Sequence, residues 1–569
     1  MEVRFVKRAM RGLPSEANRH QKAEMLTNEG RRPEACRTAA TEGSPMRPGI
    51  TTILEKNSPP RWFYAGDRFH YEKLPEGTRV IYPPGPSKPL EEPGVAIERA
   101  LLEPMDMEPL HELLRPGMKL TIAFDDLSIP LPPMRKPDVR QQVIEKVLEK
   151  AAARGVDDIH LIAALGLHRR MTEAELRHCL GGKIMSRYYP DRLYNYDAED
   201  PDGNVRLAET DLGEEVSVSR RVAESDLLVY VNVNFIPMDG GHKSVHTGLA
   251  PYSSIRHHHT PKTLANARSL MDPPNSAMHA SINRMGRIFD EHVKVFHIES
   301  TLNNQTYPAA FDFMAKPEHQ WSMLTKANFL ATHGATQTMP LEAARRISHS
   351  INAPHRVTSV QAGATEPVHA ATLSDNYRQM AVPAEGQSDI LLLGIPYLGP
   401  YNVNSIMNPI LVFNMLLGYL FNLYKGKPLV REGGVLIGTH PMPANFNKLH
   451  HPSYIDLWNE VFPETNDVHE IHHRYEEKYA NDPWYRTLYR NSYAYHGAHP
   501  FTVLYWAAHA LDHLGGVILV GGDPENTKRM GLGRADTVAD ALQIAQDTVG
   551  PNPSTTYMHI PPLFLCEVS

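Results

Sequence analysis

The sequence predicts an α/β protein of two α/β domains with a cleft between them, and three observations predict it. From about residue 95 onward, short apolar runs alternate with helix-period segments, the pattern of strand–helix–strand units. Polar loops rich in reactive side chains follow those apolar runs directly, where open α/β sheets gather their ligands. The 569 residues also exceed what one core usually serves, so two domains are expected. They are placed at 49–345 and 346–569, behind an extension over 1–48 that has no apolar periodicity and is expected to be disordered.

Taken in order, Lys119 to Phe124 reads as a strand entering the proline-rich loop Asp125 to Lys136. A helix capped by Asp138 follows, with Val139, Val143, Ile144, Val147 and Ala151 on one face and Gly155 at its end. Ile159 to Leu165 is the next strand, ending at Gly166-Leu167-His168-Arg169. Thr172 then opens a helix with Glu175 three residues on, a capping box. Asp226 to Val233 leads into Asp239-Gly240-Gly241-His242-Lys243, and His292 to Ile298 is a further strand. In the C-terminal half, Asp389 to Gly394, Gly434 to Gly438 and Gly516 to Val520 read as strands. Ile410 to Tyr424 is apolar but too short for a membrane span of roughly 20 residues, and it is interrupted by Asn414, Gly418 and Asn422. A buried helix is expected there.

With 58 Lys+Arg against 65 Asp+Glu, the chain has no cationic surplus for a nucleic-acid backbone. Three distant cysteines exclude a disulfide framework and a thiolate zinc site. No secretory signal opens the sequence, and a cytoplasmic protein without membrane or nucleic-acid partners is expected.

Each candidate loop has a bland reading. Asp125, Asp126 and Ser128 are equally a turn with helix capping, and a lone loop histidine such as His168 is more often structural than catalytic. Gly240-Gly241 lets backbone approach a ligand closely and presents Lys243, yet glycine pairs are common turns. Of His257-His258-His259, one or two at most can serve the same ion, because adjacent side chains diverge. His469-Glu470-Ile471-His472-His473 fits the H-E-x-x-H pattern of zinc peptidases, but its flanks read as a solvated, charged helix.

In sequence order these loops resemble one family, the nickel-dependent lactate racemases (LarA-like) and their 2-hydroxyacid racemase and epimerase relatives. The likeness runs over roughly residues 95–565. The family's Asp-x-Thr-Arg-Pro loop is matched by Asp126-Leu127-Ser128-Ile129-Pro130, and its Gly-Thr-His-Arg-x-Met-Thr motif by Gly166 to Thr172. Gly240-Gly241-His242-Lys243 matches its Gly-Gly-Arg-Lys loop, and His259 falls sixteen residues after Lys243, where the family's nickel ligand stands. Leu270 to Asn275, Gly363 to His369 and Gly394 to Pro396 also fall in family order.

The resemblance implies a nickel pincer nucleotide tethered to Lys243, with His259 as the protein's nickel ligand. It implies His168 as an acid/base residue, and a cofactor site that includes Asp126, Ser128, Arg169, Gly240 and Gly241. The reaction implied is inversion at a hydroxyl-bearing carbon of a 2-hydroxyacid-like substrate by hydride transfer, with cofactor-maturation proteins as partners. Three departures stand out. The family's substrate-holding arginine is Ile129, its second acid/base histidine is Val233 between Asn232 and Asn234, and a glutamine and a lysine are replaced by Met407 and Ile410. A branched alkane cannot clamp a carboxylate, so lactate is not the expected substrate. His242 or His246 is a candidate replacement for the missing histidine, and a protein that only binds a nucleotide, metal or small molecule is the alternative expectation.

Overall fold

A computed structural model of the chain describes residues 50–569, and the extension expected over 1–48 lies outside them. The first lobe is a six-stranded sheet in the spatial order Val357–Gly363, Val295–Leu302, Leu227–Asn234, Lys119–Asp125, Asp158–Ala164, Leu193–Asn195. All neighbours are parallel except the Val357–Gly363 edge strand, which runs antiparallel to Val295–Leu302. Chain order therefore moves outward in both directions from the central pair Lys119–Asp125 and Leu227–Asn234. The crevice past the carboxyl ends of that pair is the topological switch point, where doubly wound sheets bind ligands.

The local reasons are those of the sequence. Asp138 caps the Val139–Ala153 helix by accepting from the Arg140 amide, and the expected apolar face is buried. Thr172 and Glu175 form a reciprocal capping box that starts the Glu173–Tyr188 helix.

In the second lobe, Arg79–Ile81, Thr555–Met558, Ser388–Pro396, Val430–Thr439, Gly516–Val520 and Gly533–Ala535 form a parallel sheet. Thr51–Ile53 adds an antiparallel edge, and Arg61–Gly66 pairs with the end of Ser388–Pro396. The apolar segment before Tyr424 is a buried helix, Pro409–Phe413, which widens to π-type turns over Asn414–Leu420. Among the described residues no helix is long and apolar enough to cross a membrane.

Strand pairing divides the chain differently from a boundary at 345/346. Arg61–Gly66 and Arg79–Ile81 pair into the second lobe, 300 residues and more from their partners there, and Thr51–Ile53 joins it by pairing with Arg79–Ile81. Val357–Gly363 and the Thr365–Met380 helix that packs on it belong to the first. One apolar core runs through both lobes, from Phe124 and Val143 to Leu391 and Leu436.

Candidate functional site

Where the two lobes meet, a cleft of about 420 Å³ opens over the switch point. Its wall includes Asp125, Asp126, Ser128, Ile129, His168, Asp239, Lys243 and His259 from the first lobe, and Tyr401, Tyr419, His499 and Trp506 from the second.

Asp126 follows the central strand and is fully enclosed. One carboxylate oxygen accepts from the Ser128 amide at 2.9 Å and from the Ser128 hydroxyl, and the other faces His168 Nδ1 at 2.7 Å. Burial opposes ionisation of this carboxyl, but the His168 charge and the bonds from His168 and Ser128 prevail and hold it below the usual carboxylate range. With Nδ1 donating to Asp126, His168 keeps Nε2 for the cleft. Its ring lies 5.3 Å from both Tyr401 and His499, edge-on to each.

Asp125 points back into the sheet. It accepts from the Val233 amide at 2.7 Å, the Tyr230 hydroxyl at 3.1 Å and the Asn232 side-chain amide, and burial still pushes its carboxyl up to about 6. Asn232 is thereby spent on orienting Asp125. Asn234 is spent on the Asp239 carbonyl at 2.9 Å and on Asn376 at 2.7 Å.

Lys243 extends from a short helix, Gly241–Val245, with the Asp239 carboxylate at 4.0 Å. Burial pushes Asp239 up to about 7, Lys243 opposing and Asp125 reinforcing the shift. His259 ends the Tyr252–His258 helix and stacks on Trp506. Burial, with the charge of Lys243 beside it, lowers His259 to about 3, so the imidazole is neutral, and its Nδ1 is buried without a hydrogen-bond partner.

Other expected site residues go elsewhere. Arg169 is buried away from the cleft in a bidentate pair with Glu175, at 3.0 and 2.7 Å, and also donates to the Val403 carbonyl. Gly240 and Gly241 do not reach the cleft wall. The Gly241 amide donates to Glu299 at 2.6 Å and the Gly240 amide to Ser244 at 3.2 Å. Their positive φ angles, 96° and 57°, and the 2.5 Å approach of Glu299 to where a Gly240 Cβ would stand explain the glycines without a ligand. His242 faces Asp290 at 2.8 Å, and His246 is buried beside Phe289, so neither replaces the missing histidine. His469 and His473 are exposed on opposite sides of a break into π-type turns, and Glu470 pairs with Arg474. Among the described residues no group of three metal-binding side chains forms, which removes the zinc peptidase reading. His499 was not legible. It is one of thirty histidines and carries no spacing signature.

Residues 66–272 match the family model for the lactate racemase N-terminal domain. A 194-residue stretch is 24% identical to the lactate racemase of Lactiplantibacillus plantarum, covering 33% of this chain and 42% of that protein. Over that stretch the chain is similar to lactate racemases. In fold it resembles the lactate racemase apoprotein of Thermoanaerobacterium thermosaccharolyticum, with a TM-score of 0.57 and 16% identity over 89% of this chain and 99% of that one. A Thermotoga maritima protein solved by structural genomics aligns with a TM-score of 0.47 and 14% identity, over 85% of this chain and all of that one.

The nickel pincer nucleotide implied by the sequence resemblance makes demands that this cleft can meet or fail. One neutral imidazole cannot hold a metal ion alone, so an ion at His259 must arrive with donors of its own. The neutral His259 imidazole and the Lys243 amine on the same wall suit a carrier that brings such donors and is anchored covalently. The residues present therefore fit the reactive end of the group.

Proposed function

We propose that this protein is a racemase- or epimerase-type enzyme that inverts a carbon bearing a hydroxyl and a hydrogen. Lys243 would tether the nickel pincer nucleotide, and His259 would be the protein's ligand to nickel. When bound, that group supplies the hydride acceptor. What supports the reading is one arrangement: a carboxylate-braced imidazole, an amine and a neutral imidazole lining the same enclosed space.

The chain's own residues do the rest. His168 Nε2 takes the hydroxyl proton and returns it, while Asp126 balances the imidazolium charge that forms in between. Asp239, with its carboxyl near 7, is a second cleft group whose proton exchanges around neutrality. The largely apolar walls exclude water from the reacting carbon. Lactate-sized acids suit the cleft poorly, because Ile129 offers no charge to a carboxylate. The cofactor would come from maturation proteins acting as partners.

Intact-protein mass spectrometry with metal analysis, on protein co-expressed with cofactor-maturation proteins, tests this. The wild-type chain should carry a covalent adduct and nickel, and Lys243→Ala should carry neither. An adduct that survives Lys243→Ala refutes the tether.

A further inference from the structure

Residues 303–356, between the strand Val295–Leu302 and the edge strand Val357–Gly363 of the first lobe, carry a helical hairpin, Met323–Thr338 and Leu341–Ser350. It is fixed to the Arg61–Glu72 β-hairpin of the other lobe. Phe329 is buried against Trp62 at 6.3 Å, Tyr71 at 5.2 Å and Trp321 at 4.9 Å. Arg345 pairs with Asp67 at 3.0 Å, and the Gln337 side chain donates to the Phe69 carbonyl at 2.6 Å. The inner face of the hairpin forms one wall of the cleft, with Ala335, Met339, Ala344 and Ile347. Phe311 and Met314, from the turns preceding it, add to that wall.

The charges on the cleft wall are unequal. Among the described wall residues, Lys243 carries the one ammonium or guanidinium group, whereas Asp67, Asp125, Asp126 and Asp239 carry carboxyls. Lys243 already faces Asp239, and Asp67 is matched by Arg345. Asp126 keeps its negative charge beside His168. A substrate carboxylate entering this space would be desolvated with no uncommitted cation to receive it, a poor exchange in an apolar site. Hydroxyl oxygens on the same wall can accept from a neutral hydroxyl: Ser128, Thr306 and Thr336 already donate to Asp126, Asn304 and His333, Tyr401 and Tyr419 bond each other, and Ser348 adds a further hydroxyl.

We propose that the substrate is an uncharged secondary alcohol or vicinal diol whose aromatic or branched apolar body lies beneath the Met323–Ser350 hairpin, rather than a hydroxy acid. The proposal rests on the racemase-type reading for which end of the molecule reacts. Its selectivity, though, belongs to the walls and can be measured without turnover.

The test is a matched pair sharing one skeleton: 1-phenylethane-1,2-diol, which is neutral, and mandelate, its carboxylate counterpart. Binding of each to the full chain is measured calorimetrically at about pH 8. The diol should bind at least about tenfold more tightly than mandelate, a difference of about 1.4 kcal/mol. Ile347→Asp, at a half-exposed helix position where folding tolerates charge, should weaken diol binding at least about tenfold with an unchanged melting temperature. Ile129→Arg should narrow or reverse the preference. Mandelate binding as tightly as the diol, neither ligand binding at about 10 mM, or diol binding indifferent to Ile347→Asp would each overturn the proposal. Failure of the racemase-type reading looks different. There the diol binds with the stated preference, yet the cofactor-loaded protein leaves its enantiomers unchanged.

Discussion

Asp126→Asn removes a single charge from the site and leaves its shape. In the native protein one Asp126 oxygen is fixed by two donors, the Ser128 amide and hydroxyl, which leaves the other, 2.7 Å away, to His168 Nδ1. An asparagine must keep its carbonyl oxygen toward Ser128, because both Ser128 groups donate there. Its NH₂ then faces Nδ1 and turns that nitrogen into an acceptor. The imidazole proton moves to Nε2, and the atom facing the cleft stops being a base. Loss of a positioned proton-transfer group costs about 10²–10⁴ in rate, or about 2.7–5.4 kcal/mol in the barrier at 1.36 kcal/mol per tenfold. The assay is interconversion of substrate enantiomers by the cofactor-loaded protein, followed by chiral chromatography. A parallel readout needs no turnover: ¹⁵N chemical shifts of labelled histidine report which ring nitrogen of His168 carries the proton. An Asp126→Asn protein that retains both the native tautomer and the native rate would show that the pair is structural and that His168 transfers no proton.

Three further predictions follow from the same geometry. His259→Ala should lower nickel content in protein loaded with cofactor while leaving the Lys243 adduct in place, read by metal analysis beside intact mass; unchanged nickel moves the ligand elsewhere. Arg169→Met should lower stability by about 3–5 kcal/mol, because it leaves the buried Glu175 carboxylate unpaired; denaturant titration measures this, and native stability would return Arg169 to a role outside the ion pair. Glu299 is opposed by burial but held down to about 2 by the His369 and His297 charges and by its hydrogen bonds. Its contribution is therefore fully present above the unfolded carboxyl value of about 4.3 and lost as pH falls toward 2. Glu299→Gln should lower the melting temperature at pH 6 and flatten its decline below about pH 4.3, and an acid limb as steep as the native one would refute the assignment.

How much of this was legible in the sequence depends on distance along the chain. Asp126, His168 and Lys243 were legible because each follows an apolar run, and strand ends at a switch point converge whatever the rest of the chain does. The place of Arg61–Gly66 and Arg79–Ile81 was not, because the strands they join in the second lobe, Ser388–Pro396 and Thr555–Met558, lie more than 300 residues away; no local periodicity encodes a partner so remote. Val357–Gly363 was missed for another reason, since an antiparallel edge strand carries only half a hydrophobic face. Arg169 shows the limit of adjacency. It stands beside His168 in sequence, yet a turn sends successive side chains apart, and Glu175, in the first turn of the following helix, captures it. The Gly240-Gly241 pair signalled close approach correctly, but what approaches is the Glu299 carboxylate, not a ligand. His499 reaches the site from the other lobe through tertiary packing alone.

These two kinds of residue divide the cleft into ends with different structural origins. His168 and Lys243 hang from loops whose positions are set by the register of Lys119–Asp125 with its two neighbours, so moving either one means slipping a buried strand. The apolar wall comes from a hairpin inserted between Val295–Leu302 and the edge strand Val357–Gly363, and it is held by Phe329, Gln337 and Arg345 to the opposite lobe rather than to the central sheet. Substitutions on its inner face can reshape the space around a substrate body without disturbing the Asp126–His168 pair. A sheet that fixes the reacting end and an insertion that fixes the substrate end can diverge at different rates.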